Sequence, residues 1–202
     1  MLILASSSPR RIELLREWGY EFKLVYAPVS EELEEGILPE EGVQELAERK
    51  ALSGFETWQK QEGLAEDLIL GADTIVVLEE RILGKPADEE DAEAMLRALS
   101  GKTHKVMTAI ALVSKGEGQD FRIETDMEIT IVSFRELSNR EIRDYITTGE
   151  PMDKAAAYGI QGGAGKFVRK VSGSLTNVIG LPMELLSAKL EVREVFPTDS
   201  NH

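Results

Sequence analysis

The chain has no cysteine, only two histidines and no long apolar run among its 202 residues. The lack of cysteine excludes disulfide bonds, thiolate metal sites and a thiol nucleophile. No segment approaches the about 20 consecutive apolar residues that span a bilayer, and the first residues lack a basic segment followed by an apolar one. We therefore expect a soluble, cytoplasmic protein that makes no membrane contact.

Basic residues are also scarce relative to acidic ones. Lysine and arginine together number 23 against 37 aspartates and glutamates, and the formal net charge is -14. Proteins that wrap long nucleic acid need a broad basic surface, so that class is excluded. A small phosphorylated ligand is compatible with this charge if a few cations gather in a local pocket.

The first ten residues after Met1 give one candidate for such a pocket. Residues 2–11, LILASSSPRR, read as an apolar strand, a serine-rich turn and a helix that opens with two arginines. A helix N-terminus offers free N–H groups to an anion, and the hydroxyls of Ser6 and Ser8 with the guanidinium groups of Arg10 and Arg11 can complete the site. The alternative is a solvated cap, with Ser8 as N-cap and both arginines in water.

The hydrophobic pattern alternates between helical and strand periods. Helices are predicted at 9–18, 39–58, 88–99, 139–148 and from 182, and strands at 2–4, 22–27, 68–78, 82–83, 106–113, 122–134 and 167–171. The glycine-rich segment 149–165 is predicted to be a loop with one turn of helix at 153–158, and loops of this length are functional or disordered. We expect a single α/β domain over residues 1–202, with parallel and antiparallel strands in one sheet flanked by helices and a frayed tail over 195–202.

Asp73 is the one ionisable residue in the apolar run 68–78, which is typical of a strand buried on both faces. A buried carboxylate costs several kcal/mol unless it is paired, hydrogen-bonded or bound to a metal. A lysine partner is the structural interpretation, whereas the habit of α/β sheets of placing ligands at strand ends favours a functional one. Together with Glu31, Asp73 could hold a divalent cation through oxygen ligands.

Two lysines stand in unusual contexts. Lys50 falls on the apolar stripe of a predicted helix, and Lys85 lies in a tight turn between a glycine and a proline. A snorkelling side chain and an ordinary exposed turn are the alternatives. With Arg10 and Arg11, these lysines supply the cations that a triphosphate needs.

Two catalytic motifs fail on inspection. Residues 162–166, GGAGK, suggest a P-loop, but Ile160 stands where the motif needs glycine and Phe167 where it needs serine or threonine. His104 is the only histidine apart from the last residue, so a Ser-His-Asp triad would have to use it, and its surroundings fit structural hydrogen bonding better. A kinase or P-loop ATPase is therefore not expected.

Eight segments, in order along nearly the whole chain, match one known family. They are residues 4–11, 46–51, 71–74, 84–86, 99–104, 108–109, 150–162 and 177–182. On these segments the chain resembles the Maf proteins, nucleoside triphosphate pyrophosphatases also known as septum formation inhibitors. One departure is Ala156-Ala157, where relatives often have a glycine pattern, and it concerns only local loop packing.

The resemblance implies an elongated mixed sheet with two lobes around a central cleft, as in ITPase-like folds. It also implies hydrolysis of a nucleoside triphosphate to monophosphate and pyrophosphate with Mg²⁺ or Mn²⁺, and a homodimer. Asp73 corresponds to the family's proposed proton acceptor. The residues at positions associated with base preference, Arg10, Thr74 and Gln161, resemble the branch that acts on dTTP and UTP rather than on 7-methyl-GTP. Arg11 is then expected to make a phosphate or structural contact.

Three functions stay open on the sequence. The first is hydrolysis of dTTP and UTP, and the second is hydrolysis of modified pyrimidine nucleotides by the same residues. The third is a non-enzymatic, nucleotide-binding regulator of cell division, which would not need an acid facing the pocket. The combination of Asp73, Glu31, Lys50 and Lys85 favours an enzyme.

Overall fold

The computed structural model describes residues 1–61, 66–116, 118 and 120–198. Within these residues the strands are β1 (Leu2–Leu4), β2 (Phe22–Leu24), β3 (Leu68–Leu78), β4 (Arg81–Leu83), β5 (Thr103–Lys115), β6 (Phe121–Phe134) and β7 (Val168–Ser172). The helices are α1 (Pro9–Glu17), α2 (Pro39–Gln61), α3 (Glu89–Leu99), α4 (Asn139–Ile146), α5 (Leu175–Ile179) and α6 (Met183–Glu191). Short 3-10 turns lie at Glu150–Asp153, Ala155–Ala157 and Gly163–Phe167.

The strands form one mixed sheet in the order β2-β1-β3-β5-β6-β7, with β4 paired to β3. Strand β5 takes one edge of β3, so β1 and β4 share the other. Strand β1 pairs with residues 68–70 and β4 with residues 76–78, which leaves residues 71–75 without a strand partner on that edge. The sheet is therefore open beside Asp73.

Helix α2 packs closely over one face of the sheet because two glycines let it approach. A Cβ atom on Gly71 would lie 2.4 Å from the backbone nitrogen of Ala51, and one on Gly54 would lie 2.5 Å from a methyl group just beyond β1. Neither glycine has a positive φ, so space rather than backbone conformation requires them. This close approach brings Lys50 of α2 against Asp73 of β3.

Alternation along β3 sends neighbouring side chains to opposite faces. Ile69, Ile75 and Val77 pack beneath α2 on the same face as Asp73. On the other face, Leu70 packs with α1 and α6, while the end of β3 packs with α3 and α4. Thr74 therefore points away from α2, although Asp73 and Thr74 both border the open edge.

The predicted fold class, a mixed α/β sheet flanked by helices, is confirmed. The predicted strand 68–78 matches β3, and the capping box that starts α4 is present. Strand β2 ends at Leu24 rather than at 27. The helical turn predicted within the segment 149–165, at 153–158, is the 3-10 turn Ala155–Ala157, and two further 3-10 turns, Glu150–Asp153 and Gly163–Phe167, were not predicted. Helix α5 was not predicted, because five residues are too few to show a helical period.

The last described residues pack against the end of α1. Of the tail predicted to fray over 195–202, residues 195–198 are described, and both the backbone N–H and the hydroxyl of Thr198 donate to the carbonyl of Gly19 at 2.9 Å. Residues 199–202 lie outside the described part of the chain. No helix among the described residues has the length and apolar character to cross a membrane.

His104 is a core residue. It is 2% exposed, its Nε2 lies 2.8 Å from the hydroxyl of Tyr158, and its ring packs edge-on against Phe134 at 5.1 Å. Burial lowers the pKa of His104 to about 4. The structural interpretation of this histidine holds, since it is neutral at pH 7 and hydrogen-bonded within the aromatic core.

We expect Gly71→Ala to lower the free energy of unfolding by about 2 kcal/mol, because the new methyl group meets backbone atoms of α2 that cannot move independently. Urea denaturation measures the change. Gly84→Ala is the matched control, since a Cβ atom there has nothing within 4 Å, and its effect should stay within about 0.5 kcal/mol. Equal effects of the two variants would contradict the packing argument.

The lowered pKa of His104 also predicts a pH dependence of stability. Between pH 6.5 and about 4, the histidine is protonated in the unfolded chain but neutral in the folded one. The contribution of His104 to the free energy of unfolding is therefore complete above pH 6.5 and is lost as the pH falls to about 4. The loss over that range should be about 3 kcal/mol smaller in His104→Phe than in the unmodified protein. Parallel stability-versus-pH curves would show that the histidine titrates normally.

Candidate active site

A cavity of about 610 Å³ opens at the free edge of β3. Its walls come from the turn between β1 and α1, the segment after β2, the middle of α2 and β3, and the segment after α4. Strand β4 and the end of α5 also contribute, and the lining includes residues 5–11, 25–29, 46, 50, 73–76, 82–85, 153–155, 158–162 and 178–180. The volume is in the range of small-molecule binding sites.

The N-terminus of α1 forms one wall. Pro9 is at the first helical position, and the side chain of Ser8, at the N-cap, makes no capping hydrogen bond. The N–H of Ser8 donates instead to Oγ of Ser6 at 3.1 Å. The first turn of α1 contains no acidic side chain, so the helix presents N–H groups and partial positive charge to the cavity without an internal counter-charge.

Arg11 is buried behind this wall. Its guanidinium group donates to the carbonyl of Gly180 at 2.8 Å, to the hydroxyl of Thr74 at 3.1 Å and to Oγ of Ser6 at 3.5 Å. Burial lowers the pKa of Arg11, but a guanidinium group stays charged in proteins. These hydrogen bonds join α1, β3 and the end of α5, and the predicted phosphate contact of Arg11 stays a prediction.

Thr74 belongs to a polar network on the face of β3 away from α2. Its hydroxyl lies 2.9 Å from that of Thr108, which donates to the carbonyl of Asn177 at 3.0 Å. The side-chain amide of Asn177 in turn donates to the carbonyl of Val106 at 3.0 Å. These hydrogen bonds tie Thr74, which lines the cavity, to β5 and α5.

Charged side chains alternate in sign along the opposite wall. Nζ of Lys85 lies 3.8 Å from one carboxylate oxygen of Glu31, and Nζ of Lys50 donates to the other at 2.7 Å. Lys50 also donates to the carboxylate of Asp73. The hydrogen bond from Lys50 holds the pKa of Glu31 below its usual value. Asp73 is thus the buried end of a line of four charges that runs outward to Lys85.

The carboxylates of Glu31 and Asp73 converge on one ammonium group, so they could also share a divalent cation. Among the described residues, no group of three or more His, Cys, Asp or Glu side chains is arranged to hold a metal ion. Two carboxylates are what Mg²⁺ uses when a bound phosphate and water supply the other oxygens. The residues therefore fit a metal that binds together with a phosphorylated ligand.

Arg10 lies at the rim, on the side of the segment after α4. Its guanidinium group is 3.9 Å from the carboxylate of Asp153, and its side chain is about one-third exposed. The exposed side chain of Gln161 belongs to the same rim. Arg10 and Gln161 therefore both border the cavity with side chains that solvent reaches.

All ten residues that the sequence singled out border this one cavity. They are Ser6, Ser8, Arg10, Arg11, Glu31, Lys50, Asp73, Thr74, Lys85 and Gln161. Their roles in binding and catalysis stay predictions. Sequence reasoning missed Lys154, which also borders the cavity and donates to the carboxylate of Asp153 and to the carbonyl of Glu150, both at 2.7 Å. Its only signal was its place in the matched segment 150–162.

Several relatives that this chain resembles share one name. A "dTTP/UTP pyrophosphatase" of Desulfitobacterium hafniense is 57% identical over 95% of this chain and 85% of the relative. Proteins of the same name from Photorhabdus laumondii and Acetivibrio thermocellus are 48% and 44% identical, over 90% and 94% of this chain and 88% and 94% of their own lengths.

A solved nucleoside-triphosphatase / dITP/XTP pyrophosphatase from Mycobacterium abscessus is a distant likeness. It is 19% identical over 66% of this chain and 72% of its own, with a TM-score of 0.39, which is too low to bear on fold or function. The family model described as Maf-like protein, in contrast, matches residues 1–193. That match covers both walls of the cavity, and with the relatives of similar length it shows that the chain belongs to the Maf family.

Proposed function

We propose that this protein hydrolyses dTTP and UTP to the monophosphate and pyrophosphate. The observation that carries the proposal is the line of alternating charge from Lys85 to Asp73, which faces a helix N-terminus across one cavity. Relatives that are 44–57% identical to this chain and are named dTTP/UTP pyrophosphatase support the same reaction. A triphosphate and its leaving group need this combination of cations, acid and free N–H groups.

Two lysines are assigned to the triphosphate end of the ligand. Lys50 and Lys85, with the N–H groups at the start of α1, hold the triphosphate. Each of these lysines is engaged by a carboxylate in the structure, so binding exchanges one anionic partner for another. Arg11 is committed to protein oxygens and supports the wall against which the phosphates lie.

Asp73 acts as the base. It accepts a proton from a water molecule that attacks the α-phosphorus. A bond forms between that phosphorus and the water oxygen, the bond to the bridging oxygen breaks, and pyrophosphate leaves with the electron pair. Lys50 and Lys85 stabilise the negative charge that develops on the leaving group.

Glu31 and Asp73 are the residues that would hold Mg²⁺ or Mn²⁺ with the substrate. Such an ion supplies neutralisation of phosphate charge and a lower pKa for bound water. The carboxylate of Glu31 is ionised well below neutral pH because its pKa is lowered by the hydrogen bond from Lys50, so it is a ligand without prior loss of a proton.

Base preference is assigned to the part of the rim that Arg10 and Gln161 border. A pyrimidine with an N3–H donor and a carbonyl acceptor beside it matches the acceptor and donors of the Gln161 amide. Arg10 and the hydroxyl of Thr74 border the same space. Discrimination by paired polar groups is stronger than discrimination by size, which favours these residues over the apolar lining. The cytoplasmic location, the homodimer and turnover of modified pyrimidines stay predictions.

The reaction predicts a specific pair of products. With Mg²⁺ or Mn²⁺, we expect dTTP and UTP to give monophosphate and pyrophosphate in equal amounts, more rapidly than other nucleoside triphosphates in the same panel. Chromatography of the nucleotides with separate assays for pyrophosphate and orthophosphate measures both. Release of orthophosphate with a nucleoside diphosphate would refute cleavage between the α- and β-phosphates.

We expect Asp73→Asn to lower kcat by about 1,000-fold, because the amide cannot accept the proton of the attacking water. Steady-state kinetics on dTTP, with thermal unfolding to verify the fold, checks this. Asp67→Asn is the matched control: Asp67 is also buried, but it pairs with Trp58 and the N-terminus outside the cavity. Full activity of Asp73→Asn would remove this residue from the mechanism.

A further inference from the structure

The backbone that carries Gln161 is held at one end by Tyr145 and at the other by Glu150, and these two side chains are hydrogen-bonded to each other. The N–H of Gly159 donates to the hydroxyl of Tyr145 at 3.3 Å, and the N–H of Gly163 donates to Oε2 of Glu150 at 3.0 Å. The hydroxyl of Tyr145 itself donates to Oε1 of Glu150 at 3.1 Å. We call Tyr145 and Glu150 the clamp, since together they tie residues 159 and 163 across the span that contains Gln161.

Close contacts with the clamp residue Glu150 and with Lys154 explain two glycines of this span. A Cβ atom on Gly162 would lie 1.8 Å from Oε1 of Glu150, so the carboxylate lies directly against the backbone there. A Cβ atom on Gly159 would lie 2.7 Å from the stem of Lys154. Neither glycine has a positive φ, so they are needed for close contact and not for a turn conformation.

The clamp itself is rigidly held. Tyr145 is 2% exposed, and its ring packs edge-on against Phe167 at 5.3 Å. Burial raises the pKa of Tyr145, so its hydroxyl stays protonated and remains a donor to Glu150. The backbone of Glu150 is tied on both sides, by its N–H to the hydroxyl of Thr148 at 3.2 Å and by its carbonyl to Nζ of Lys154 at 2.7 Å.

Neither clamp residue borders the cavity, whereas residues 158–162 do. We propose that Tyr145 and Glu150 are positioning residues for base discrimination: they hold residues 159–163 so that the Gln161 amide meets the base edge already ordered. The inference rests on the proposed function, because it needs a nucleotide base at this rim. An amide on a mobile span would lose part of its binding free energy to the ordering of that span.

The test compares two bases with opposite hydrogen-bond patterns. Thymine has a donor at N3 and an acceptor at C4, and cytosine has the reverse. The ratio of kcat/KM for dTTP to kcat/KM for dCTP should fall about tenfold in Tyr145→Phe, which is about 1.4 kcal/mol. This variant keeps the buried ring and removes only the hydroxyl. The loss should appear in KM for dTTP, since the phosphate contacts are untouched.

A double-mutant cycle separates positioning from general stability. Gln161→Ala should lower the ratio by itself, and Tyr145→Phe should lower it no further when combined with Gln161→Ala. Glu150→Ala should behave like Tyr145→Phe. Glu150→Gln keeps a carbonyl oxygen that can accept from Gly163, so it should restore most of the ratio lost in Glu150→Ala.

The control is Trp58→Phe, which removes a buried hydrogen bond to Asp67 away from the cavity. Its thermal stability should fall while its dTTP/dCTP ratio stays unchanged. An unchanged ratio in Tyr145→Phe, or additive effects of Tyr145→Phe and Gln161→Ala, would overturn the positioning role. If the unmodified protein shows no preference for dTTP over dCTP, the proposed function fails before any variant is tested. That result would overturn both the proposed function and the positioning role.

Discussion

The pairing of the buried carboxylate of Asp73 with the partly buried ammonium group of Lys50 is the constraint on which the rest of the site depends. Asp73 lies in the middle of an apolar strand and would be costly there without a cation. Lys50 can reach it only because α2 lies almost against the backbone of β3, and Gly71 allows that approach. The ion pair, the glycine and the helix position therefore require one another.

Much of the fold could be predicted from local patterns. The strand around Asp73, the capping box of α4 and the proline at the start of α1 all depend on neighbours within a few residues, which sequence shows directly. The cations could be singled out for the same reason, since Lys50 interrupts an apolar stripe and Lys85 sits in a tight turn.

What sequence could not show are contacts between distant segments. The burial of Arg11 depends on the carbonyl of Gly180. The clamp depends on the hydroxyl of Tyr145 in α4, which donates to Glu150 and accepts from the N–H of Gly159. Helix α5 is five residues long and has no period to detect. Each of these features is set by tertiary packing, so no local propensity announces it.

The bond between Arg11 and Gly180 joins residues 169 positions apart. It closes the wall between the first helix and the end of α5, and β1 itself enters the sheet beside β3. Contacts of such long range form late in folding, because the loop they close is costly until the rest of the sheet exists. The cavity is therefore among the last parts of the molecule to assemble, since a chain whose sheet has formed still lacks one wall until Arg11 meets the carbonyl of Gly180.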